Sequence, residues 1–287
     1  MASPQPCRSS SLLLSALRYS DRFDYPLTLE ELWFWQIRTH FSKLEINRLI
    51  KNYKFKIENY CFLPHRQKLI PIRRQREIYS RKKWLIARRV GESLRRFPTI
   101  RAVFITGALA MNNCPENDDI DIMVITIPHT LWITRFILYL YLSPKSYRRP
   151  PRLPEHSSPR VRDKICDNLY LDYGHLNIRP QNLYTAHEIL QARPLFDKSS
   201  IHHQFLAANP WASEYLPVAY QESLKKFGKS NLIENCKLKI ENLTWLLYPL
   251  NLFFFLLQYL YMKPKMTSEH IGLGFAFFHP NSQRNPS

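Results

Sequence analysis

Two aspartates, Asp119 and Asp121, stand at the start of a short apolar run, and their spacing constrains the fold more than any other feature of the chain. Residues 100–106 and 120–126 are apolar and rich in β-branched side chains, which predicts two buried strands. Successive side chains of a strand point to opposite faces, so residues i and i+2 share a face. The two carboxylates are therefore expected to project together from one face of a sheet.

Two carboxylates this close together on a strand repel each other. A divalent cation between them removes the repulsion, and paired aspartate oxygens with positions left for water suit Mg²⁺. Protein-bound Mg²⁺ usually keeps phosphate oxygens among its ligands. The pair therefore predicts a site for a metal ion and a phosphate.

Gly107 directly follows the first predicted strand. Because glycine lets the backbone turn sharply, a helix can begin immediately after the strand. Free N–H groups at the start of a helix attract phosphate. A glycine turn, a helix start and a strand with two carboxylates together predict a nucleotide site.

Residues 105–126 resemble the signature of the DNA polymerase β-like nucleotidyltransferase superfamily, in which a glycine turn precedes an Asp-x-Asp pair flanked by apolar residues. The resemblance implies that Gly107 and Ala108 contact the triphosphate of an NTP, and that Asp119 and Asp121 bind two Mg²⁺ ions. Such ions polarise the α-phosphate, activate an attacking hydroxyl and hold the pyrophosphate leaving group. The implied reaction transfers a nucleoside monophosphate to an acceptor hydroxyl on RNA, on a protein side chain or on a small molecule.

Two features depart from that family pattern. Ala108 stands where the family has serine or a second glycine, so one phosphate-binding hydroxyl is missing and weaker nucleotide binding is expected. The family also carries a third carboxylate on a later strand. The candidates here are Asp167, with Ile165 and Leu169 on its own face of a predicted strand, and Asp172 at the end of that strand. We predict Asp167 as the catalytic residue; if neither faces the metals, an impaired, nucleotide-binding relative is expected.

Residues 1–70 carry the pattern of a winged-helix-like unit, because three short helices are predicted ahead of a strand-like hairpin. Thr28 with Glu31 three positions later predicts a capping box that opens the second helix. Such units either bind DNA or pack against a neighbouring domain, and both alternatives stay open. The residues that would face a DNA major groove are Asn47, Arg48 and Lys51.

Residues 71–190 are predicted to form the nucleotidyltransferase core, beginning with a long basic helix at 73–97. The chain has 41 Lys and Arg against 23 Asp and Glu, a formal net charge of +18, which predicts attraction to polyanions. A nucleic-acid track and a solvated helix face explain the basic helix equally well. Binding of RNA or DNA through this helix and the N-terminal unit is therefore an open alternative.

Residues 191–287 are predicted to form a helical C-terminal region. Its segment 243–262 has the length of a membrane-spanning helix, which is one alternative. Pro249, Asn251 and Gln258 within that segment favour a buried or amphipathic helix of a soluble protein instead. We therefore expect no membrane partner.

The cysteines and histidines indicate the compartment and exclude some metal sites. Five widely spaced cysteines without a Cys-x-x-Cys pair predict neither a disulfide framework nor a zinc site, and favour a cytoplasmic protein. The histidines form no His-x-x-x-His pair on a predicted helix, so they do not indicate a zinc site either. His187 and Glu188, at the start of another predicted helix, either approach the active site or cap that helix and fix it in place.

These features together predict an α+β protein with a mixed-sheet nucleotidyltransferase core, a winged-helix-like N-terminal unit and a helical C-terminal region. The expected function is Mg²⁺-dependent transfer of a nucleotide from an NTP. The alternative is a catalytically impaired relative whose N-terminal unit binds nucleic acid and acts as a regulator. That alternative predicts salt-dependent duplex binding through Lys and Arg, independent of Asp119.

Overall fold

The computed structural model describes residues 8–51, 56–145, 147–149, 159–227, 237–266 and 269–278. Over these residues the chain is a mixed α/β protein in which helices cover both faces of a six-stranded mixed sheet. A smaller, three-stranded sheet lies in the N-terminal region. The predicted α+β class is confirmed at this level.

The N-terminal region folds into three helices and a three-stranded antiparallel sheet of order β1-β3-β2. The predicted capping box is present, since the Glu31 N–H donates to the Thr28 hydroxyl and the Glu31 carboxylate accepts from the Thr28 N–H. The elements are α1 (Arg8–Asp21), β1 (Leu27–Thr28), α2 (Leu29–Phe34), α3 (Lys43–Lys51), β2 (Lys56–Ile57) and β3 (Tyr60–Cys61). The sequence pattern does not predict β1, because a two-residue strand has no recognisable period.

A long helix, α4 (Leu69–Leu94), follows and corresponds to the predicted basic helix. Two of its basic residues are buried and serve the fold: Arg73 pairs with Glu31 at 2.7 Å, and Lys83 is discussed below. Arg76 is half-buried, and the other five basic residues of this helix are exposed: Arg74, Arg81, Lys82, Arg88 and Arg89. The helix therefore connects the N-terminal region to the large sheet while presenting positive charge to solvent.

The large sheet has the order β7-β4-β5-β6-β9-β8, in which only the β5–β6 pair is parallel. The elements that follow α4 are β4 (Ile100–Ile105), α5 (Gly107–Ala110), β5 (Ile120–Thr126), α6 (Leu131–Leu142), β6 (Ile165–Asp172), α7 (Leu183–Gln191), β7 (Arg193–Asp197), α8 (Ile201–Ala207), α9 (Ala212–Tyr215), α10 (Pro217–Phe227), α11 (Lys237–Met262), β8 (His270–Ile271) and β9 (Phe275–Phe277). Strands β4 and β5 are the two buried strands that the sequence predicts.

Alternating side chains of β4 and β5 enter two different hydrophobic cores. Phe104 and Met123 belong to one core, which also contains residues of α1, α2, α3 and α8. Ile105 and Ile122 belong to the other, which also contains residues of α4 and α6. The N-terminal region thus packs against the same face of the sheet that carries Phe104 and Met123.

The C-terminal region is less helical than predicted. Strands β7, β8 and β9 all lie beyond residue 190 and extend the large sheet at both of its edges. Their lengths of five, two and three residues explain the difference, since segments this short show no clear alternation.

Helix α11 packs against α6 through polar contacts. Asn251 accepts hydrogen bonds from the N–H groups of Trp132 and Ile133, and Gln258 donates to the Trp132 carbonyl at 2.9 Å. Asn251 therefore satisfies N–H groups that the first turn of a helix leaves without internal partners.

Within the described part of the chain, no helix combines the length and the apolar composition needed to cross a membrane.

Candidate active site

Asp119 and Asp121 lie at the start of β5, on the face of the sheet that the N-terminal region covers. Asp119 is buried and Asp121 is half-buried. Burial, followed by the charge of Asp121, raises the pKa of the Asp119 carboxyl from 3.8 to about 7. The predicted arrangement of two close, mutually repelling carboxylates on one face is therefore what the chain forms.

Gly107 is held against one of these carboxylates. Its φ of +61° lies in the left-handed region, and a Cβ at this position would stand 2.7 Å from Asp121 Oδ2. Both observations explain why glycine is needed here. The helix that begins at Gly107, α5, is a single turn of four residues, and its Ala108 is half-buried and lines the same cavity as the two aspartates.

Strand β6 and the segment before it complete the surroundings of the pair. The Arg149 guanidinium donates to Asp119 Oδ2 at 2.9 Å, and the Asn168 amide donates to Asp121 Oδ1 at 2.9 Å. Cys166 is the direct neighbour of Asp121 across the β5–β6 ladder. Sequence reasoning missed all three residues, because the pattern around them carries no period or motif that marks a site.

The ligand atoms of Asp119, Asp121 and Cys166 all lie within 4.8 Å of one another, so this cluster can hold a metal ion. Two carboxylates fit Mg²⁺, which is commonly held by one or two carboxylates with phosphate and water completing its octahedron. The thiol of Cys166 does not fit a hard cation, since thiolates select softer metals. Burial raises the pKa of that thiol, which keeps it protonated and makes it a neutral neighbour of the carboxylates.

Asp167, the predicted third carboxylate, does not lie with the pair. Its Oδ1 accepts from Arg148 Nε and its Oδ2 accepts from the Tyr170 hydroxyl, both at 2.7 Å. Tyr170 belongs to the hydrophobic core on the opposite face of the sheet. Asp167 is therefore placed in a buried structural network, away from Asp119 and Asp121.

A β-bulge explains this placement. Asp121 pairs with Cys166 and Met123 pairs with Leu169, so one residue of β5 faces two residues of β6 between these pairs. The bulge breaks strict alternation, and Leu169 lies on the Met123 side of the sheet rather than on the Asp167 side. The expectation that Asp167 shares its face with Leu169 is wrong for this reason.

Asp172, the other candidate, lies at the far end of β6, opposite Thr126. Its Oδ1 accepts from the Gly174 N–H at 2.8 Å and lies 2.7 Å from His175 Nδ1. Among the described residues, neither Asp167 nor Asp172 joins the ligand cluster at Asp119 and Asp121.

The loop that leads into β5 is anchored from α4. The ammonium group of Lys83 is only 1% exposed and donates to the carbonyls of Glu116 and Asp118 and to Asp163, at 3.0, 2.7 and 2.8 Å. These bonds fix the backbone immediately before Asp119. Part of the basic helix thus positions the candidate site from within the protein.

A cavity of about 540 Å³ opens onto the two aspartates. Its walls come from α1, α4, α5, β5, β6, α7, α8 and β9 and from Trp35 directly after α2, so the N-terminal region and the large sheet both contribute. A volume of this size is typical of small-molecule sites. Gly107, Ala108, Asp119 and Asp121 share this cavity, whereas Asp167 is not among the described residues that line it.

His187 also lines the cavity, from the middle of α7. Its ring stacks on Tyr19 with centroids 4.0 Å apart and on Trp35 at 4.9 Å. The cap of α7 is Asn182, which accepts from the Thr185 N–H. His187 therefore does not cap α7, because Asn182 does. Its imidazole lies beside the cavity, as the other alternative expects.

Burial of His187 predicts a dependence of stability on pH. Desolvation lowers the pKa of His187 from 6.5 to about 3, so the native imidazole stays neutral while the unfolded chain binds a proton below pH 6.5. Stability is therefore fully present above pH 6.5 and is lost as pH falls toward 3. At 1.36 kcal/mol per pH unit, moving from pH 7 to pH 5 is expected to cost about 2 kcal/mol.

Urea unfolding of the wild type and of His187→Phe at both pH values measures this contribution. The variant keeps an aromatic ring and should lose about 2 kcal/mol less than the wild type, while titrating groups that both proteins share cancel in the comparison. His40→Phe, at an exposed position, is the control and should behave like the wild type. Equal losses in the wild type and His187→Phe would refute the assignment.

Comparison of the chain with protein-family models, with curated proteins and with solved structures finds no match in any of the three.

Proposed function

We propose that this chain is a Mg²⁺-dependent nucleotidyltransferase, and that Asp119 and Asp121 hold the metal. The observation that carries the proposal is the pair of carboxylates on one strand, with the backbone of Gly107 packed against Asp121 and a cavity in front of both. This arrangement leaves room for phosphate oxygens to complete the metal's coordination.

In the proposed reaction an acceptor hydroxyl oxygen attacks the α-phosphorus of an NTP, the bond to the bridging oxygen breaks, and pyrophosphate leaves. The metal, when bound, neutralises the charge that develops on the phosphates. Asp119 and Asp121 fix its position. Arg149, which pairs with Asp119 and lines the same cavity, would donate to a phosphate bound there.

Cys166 and Asn168 stand where a third carboxylate would have to lie to reach the metal. Neither side chain is a strong ligand for Mg²⁺ or a base for the acceptor hydroxyl, so the hydroxyl proton would pass to water in the cavity. The proposed enzyme is therefore expected to be slow in comparison with a three-carboxylate site.

Asn168→Asp is expected to strengthen Mg²⁺ binding about tenfold, because it adds a carboxylate beside Asp121 in place of the amide. Mg²⁺ titration followed by thermal unfolding measures the effect. Asn177→Asp, on the exposed segment after β6, adds the same charge elsewhere and should leave the Mg²⁺ affinity unchanged. An unchanged affinity in Asn168→Asp would place the metal away from β6.

Label transfer tests the proposed function directly. The purified protein is incubated with Mg²⁺ or Mn²⁺, with each α-³²P-labelled NTP in turn, and with RNA, protein or small-molecule fractions of a cell extract. We expect the wild type to transfer label into one fraction, and the double variant Asp119→Asn, Asp121→Asn to transfer none. Absence of label in every fraction, together with no thermal stabilisation by NTP and metal, would overturn the proposal.

A second candidate function is a nucleic-acid-binding regulator whose transferase site is impaired. The N-terminal order of helix, strand, two helices and two strands, with sheet order β1-β3-β2, supports a winged-helix unit. Arg48 and Lys51 on α3 are exposed, and Asn47 is half-buried. This candidate predicts duplex binding that weakens with salt, is lost in Arg48→Ala, Lys51→Ala, and is unaffected by Asp119→Asn.

A further inference from the structure

The N-terminal region forms part of the wall of the cavity in front of Asp119 and Asp121. Tyr19 and Phe23, from α1 and the turn after it, and Trp35, at the end of α2, line the same space as the two carboxylates. The region is fixed there by a shared hydrophobic core that joins α1 and α2 to Phe205 of α8. A ligand in this cavity would therefore touch both parts of the chain.

The end of the cavity formed by Tyr19, Trp35 and His187 is aromatic, and we call it the aromatic subsite. Burial raises the pKa of the Tyr19 hydroxyl, which keeps this group neutral. Across the described part of the chain, His187 Nε2 is buried without a hydrogen-bond partner, and His187 as a whole is 6% exposed. An unpartnered buried ring nitrogen costs about 1–3 kcal/mol. A small turn of the imidazole toward the cavity would bring this nitrogen to a ligand's hydrogen-bonding group, which would offset the cost.

The charges on the cavity wall do not suit a nucleic-acid strand. The described lining residues include four arginines and five acidic residues, although the whole chain carries a formal net charge of +18. Sites that follow a phosphate backbone combine stacking aromatics with a clear excess of positive charge. In the described part of the chain, exposed basic residues lie instead on surfaces such as the outer side of α4.

We propose that the acceptor of this transferase is a small, uncharged, aromatic molecule that carries a hydroxyl group and binds at the aromatic subsite. This inference rests on the proposed function and specifies its acceptor. Rings of the ligand would pack against Tyr19 and Trp35, and a polar group would reach His187. The ligand's hydroxyl oxygen forms the new bond to the α-phosphorus, pyrophosphate leaves, and the hydroxyl proton passes to water.

The proposal assigns a structural role to the N-terminal region. Its helices α1 and α2 are walls of an acceptor pocket, because Tyr19 and Trp35 stand on them or directly after them. Helix α3, whose exposed face carries Arg48 and Lys51, has no residue among the described lining residues. Substitutions on α3 should therefore leave acceptor binding unchanged, which separates the pocket from any nucleic-acid surface.

Binding and transfer are measured separately to test this inference. Native mass spectrometry is applied to the full-length protein incubated with a panel of uncharged nucleosides and aromatic alcohols, and with a dialysable cell extract. The proteins compared are the wild type, His187→Phe, Tyr19→Leu, the double variant Asp119→Asn, Asp121→Asn, and Arg48→Ala, Lys51→Ala. The same small-molecule, RNA and protein fractions are then offered in the label-transfer assay.

The expected result is a small molecule that the wild type binds and that both pocket variants bind at least about tenfold more weakly. The Asp119, Asp121 double variant and the α3 variant should bind it like the wild type. His187→Phe keeps the stacked ring, and Tyr19→Leu keeps an apolar side chain. If one of the two variants fails to fold, the other still tests the pocket. Because the double variant lacks the proposed metal ligands, it should bind the small molecule without transferring label. Its small-molecule binding is therefore measured independently of transfer.

Three results would overturn the inference. In the first, label enters RNA or protein and no small molecule. In the second, the wild type binds no molecule of the panel or the extract. In the third, His187→Phe and Tyr19→Leu bind the small molecule as tightly as the wild type does. The first would leave the proposed transferase function intact. Retained small-molecule binding without label transfer would instead refute the transferase function and keep the pocket.

Discussion

The double variant Asp119→Asn, Asp121→Asn is expected to lose metal-dependent nucleotidyl transfer by about a thousandfold. A catalytic metal supplies several kcal/mol of charge stabilisation in the transition state, and each 1.36 kcal/mol corresponds to a factor of ten in rate. Asparagine keeps the shape of each side chain but removes the charge that binds the cation. The measurement is label transfer at saturating NTP and metal.

The matched control for this experiment is Asp167→Asn. Its carboxylate lies on β6 but pairs with Arg148 and Tyr170 on the other face of the sheet. This variant should keep the metal affinity of the wild type while losing stability, because the half-buried Arg148 loses its charged partner. Loss of metal binding in Asp167→Asn, with retention in the double variant, would reverse the assignment of the site.

The same double variant should be more stable than the wild type when metal is absent. The raised pKa of Asp119 shows that burial and the neighbouring Asp121 charge outweigh the pairing with Arg149 and disfavour the ionised form of this carboxyl. Above pH 7 the buried Asp119 carboxyl ionises beside the charge of Asp121, so removing both carboxylates relieves this penalty. Thermal unfolding at pH 8 with a chelator measures the difference, and a lower unfolding temperature in the variant would contradict it.

The sequence predicts those features of the site that follow from the regular alternation of side chains along a strand. Asp119 and Asp121 are two positions apart on one strand, so their shared face follows from the geometry of a strand alone. Gly107 stands between β4 and β5, where the chain leaves β4 and begins α5. These positions depend only on residues that are neighbours along the chain or that lie on two adjacent antiparallel strands. A sequence pattern is sufficient to predict such positions.

The part that could not be predicted depends on irregularity and on long-range packing. The bulge in β6 turns Asp167 away from Asp119 and Asp121 and brings Asn168 toward Asp121, and no residue type in that segment marks a bulge. Arg149 reaches Asp119 from a segment that reads as an irregular loop. Tyr19 meets His187 only because the N-terminal region packs on one face of the large sheet.

The basic helix shows a related limit of composition. The run of Lys and Arg is one feature in sequence, but its members have different roles in the fold. Arg73 and Lys83 are buried in specific ion pairs and carbonyl contacts, while neighbours such as Arg81 are exposed. Charge counts cannot separate these roles, because burial is decided by which side of the helix faces the sheet.

Gly107→Ala is expected to disrupt the metal site while leaving the fold intact. The positive φ at this position costs an alanine about 1–2 kcal/mol. In addition, the new methyl group would stand 2.7 Å from Asp121 Oδ2, so either the carboxylate or the backbone must move. Because Mg²⁺ demands near-ideal octahedral geometry, we expect at least about a tenfold loss of metal affinity.

Gly91→Ala is the matched control, since it makes the same chemical change at a buried helical glycine without positive φ. Its added Cβ would meet only the side chain of Leu195, at 3.3 Å, and alanine favours the helix by up to about 1 kcal/mol. Mg²⁺ affinity, followed by thermal unfolding, should fall in Gly107→Ala and stay at the wild-type value in Gly91→Ala. Wild-type affinity in Gly107→Ala would show that the metal is not held by Asp121, because that carboxylate cannot keep its position beside the added methyl group.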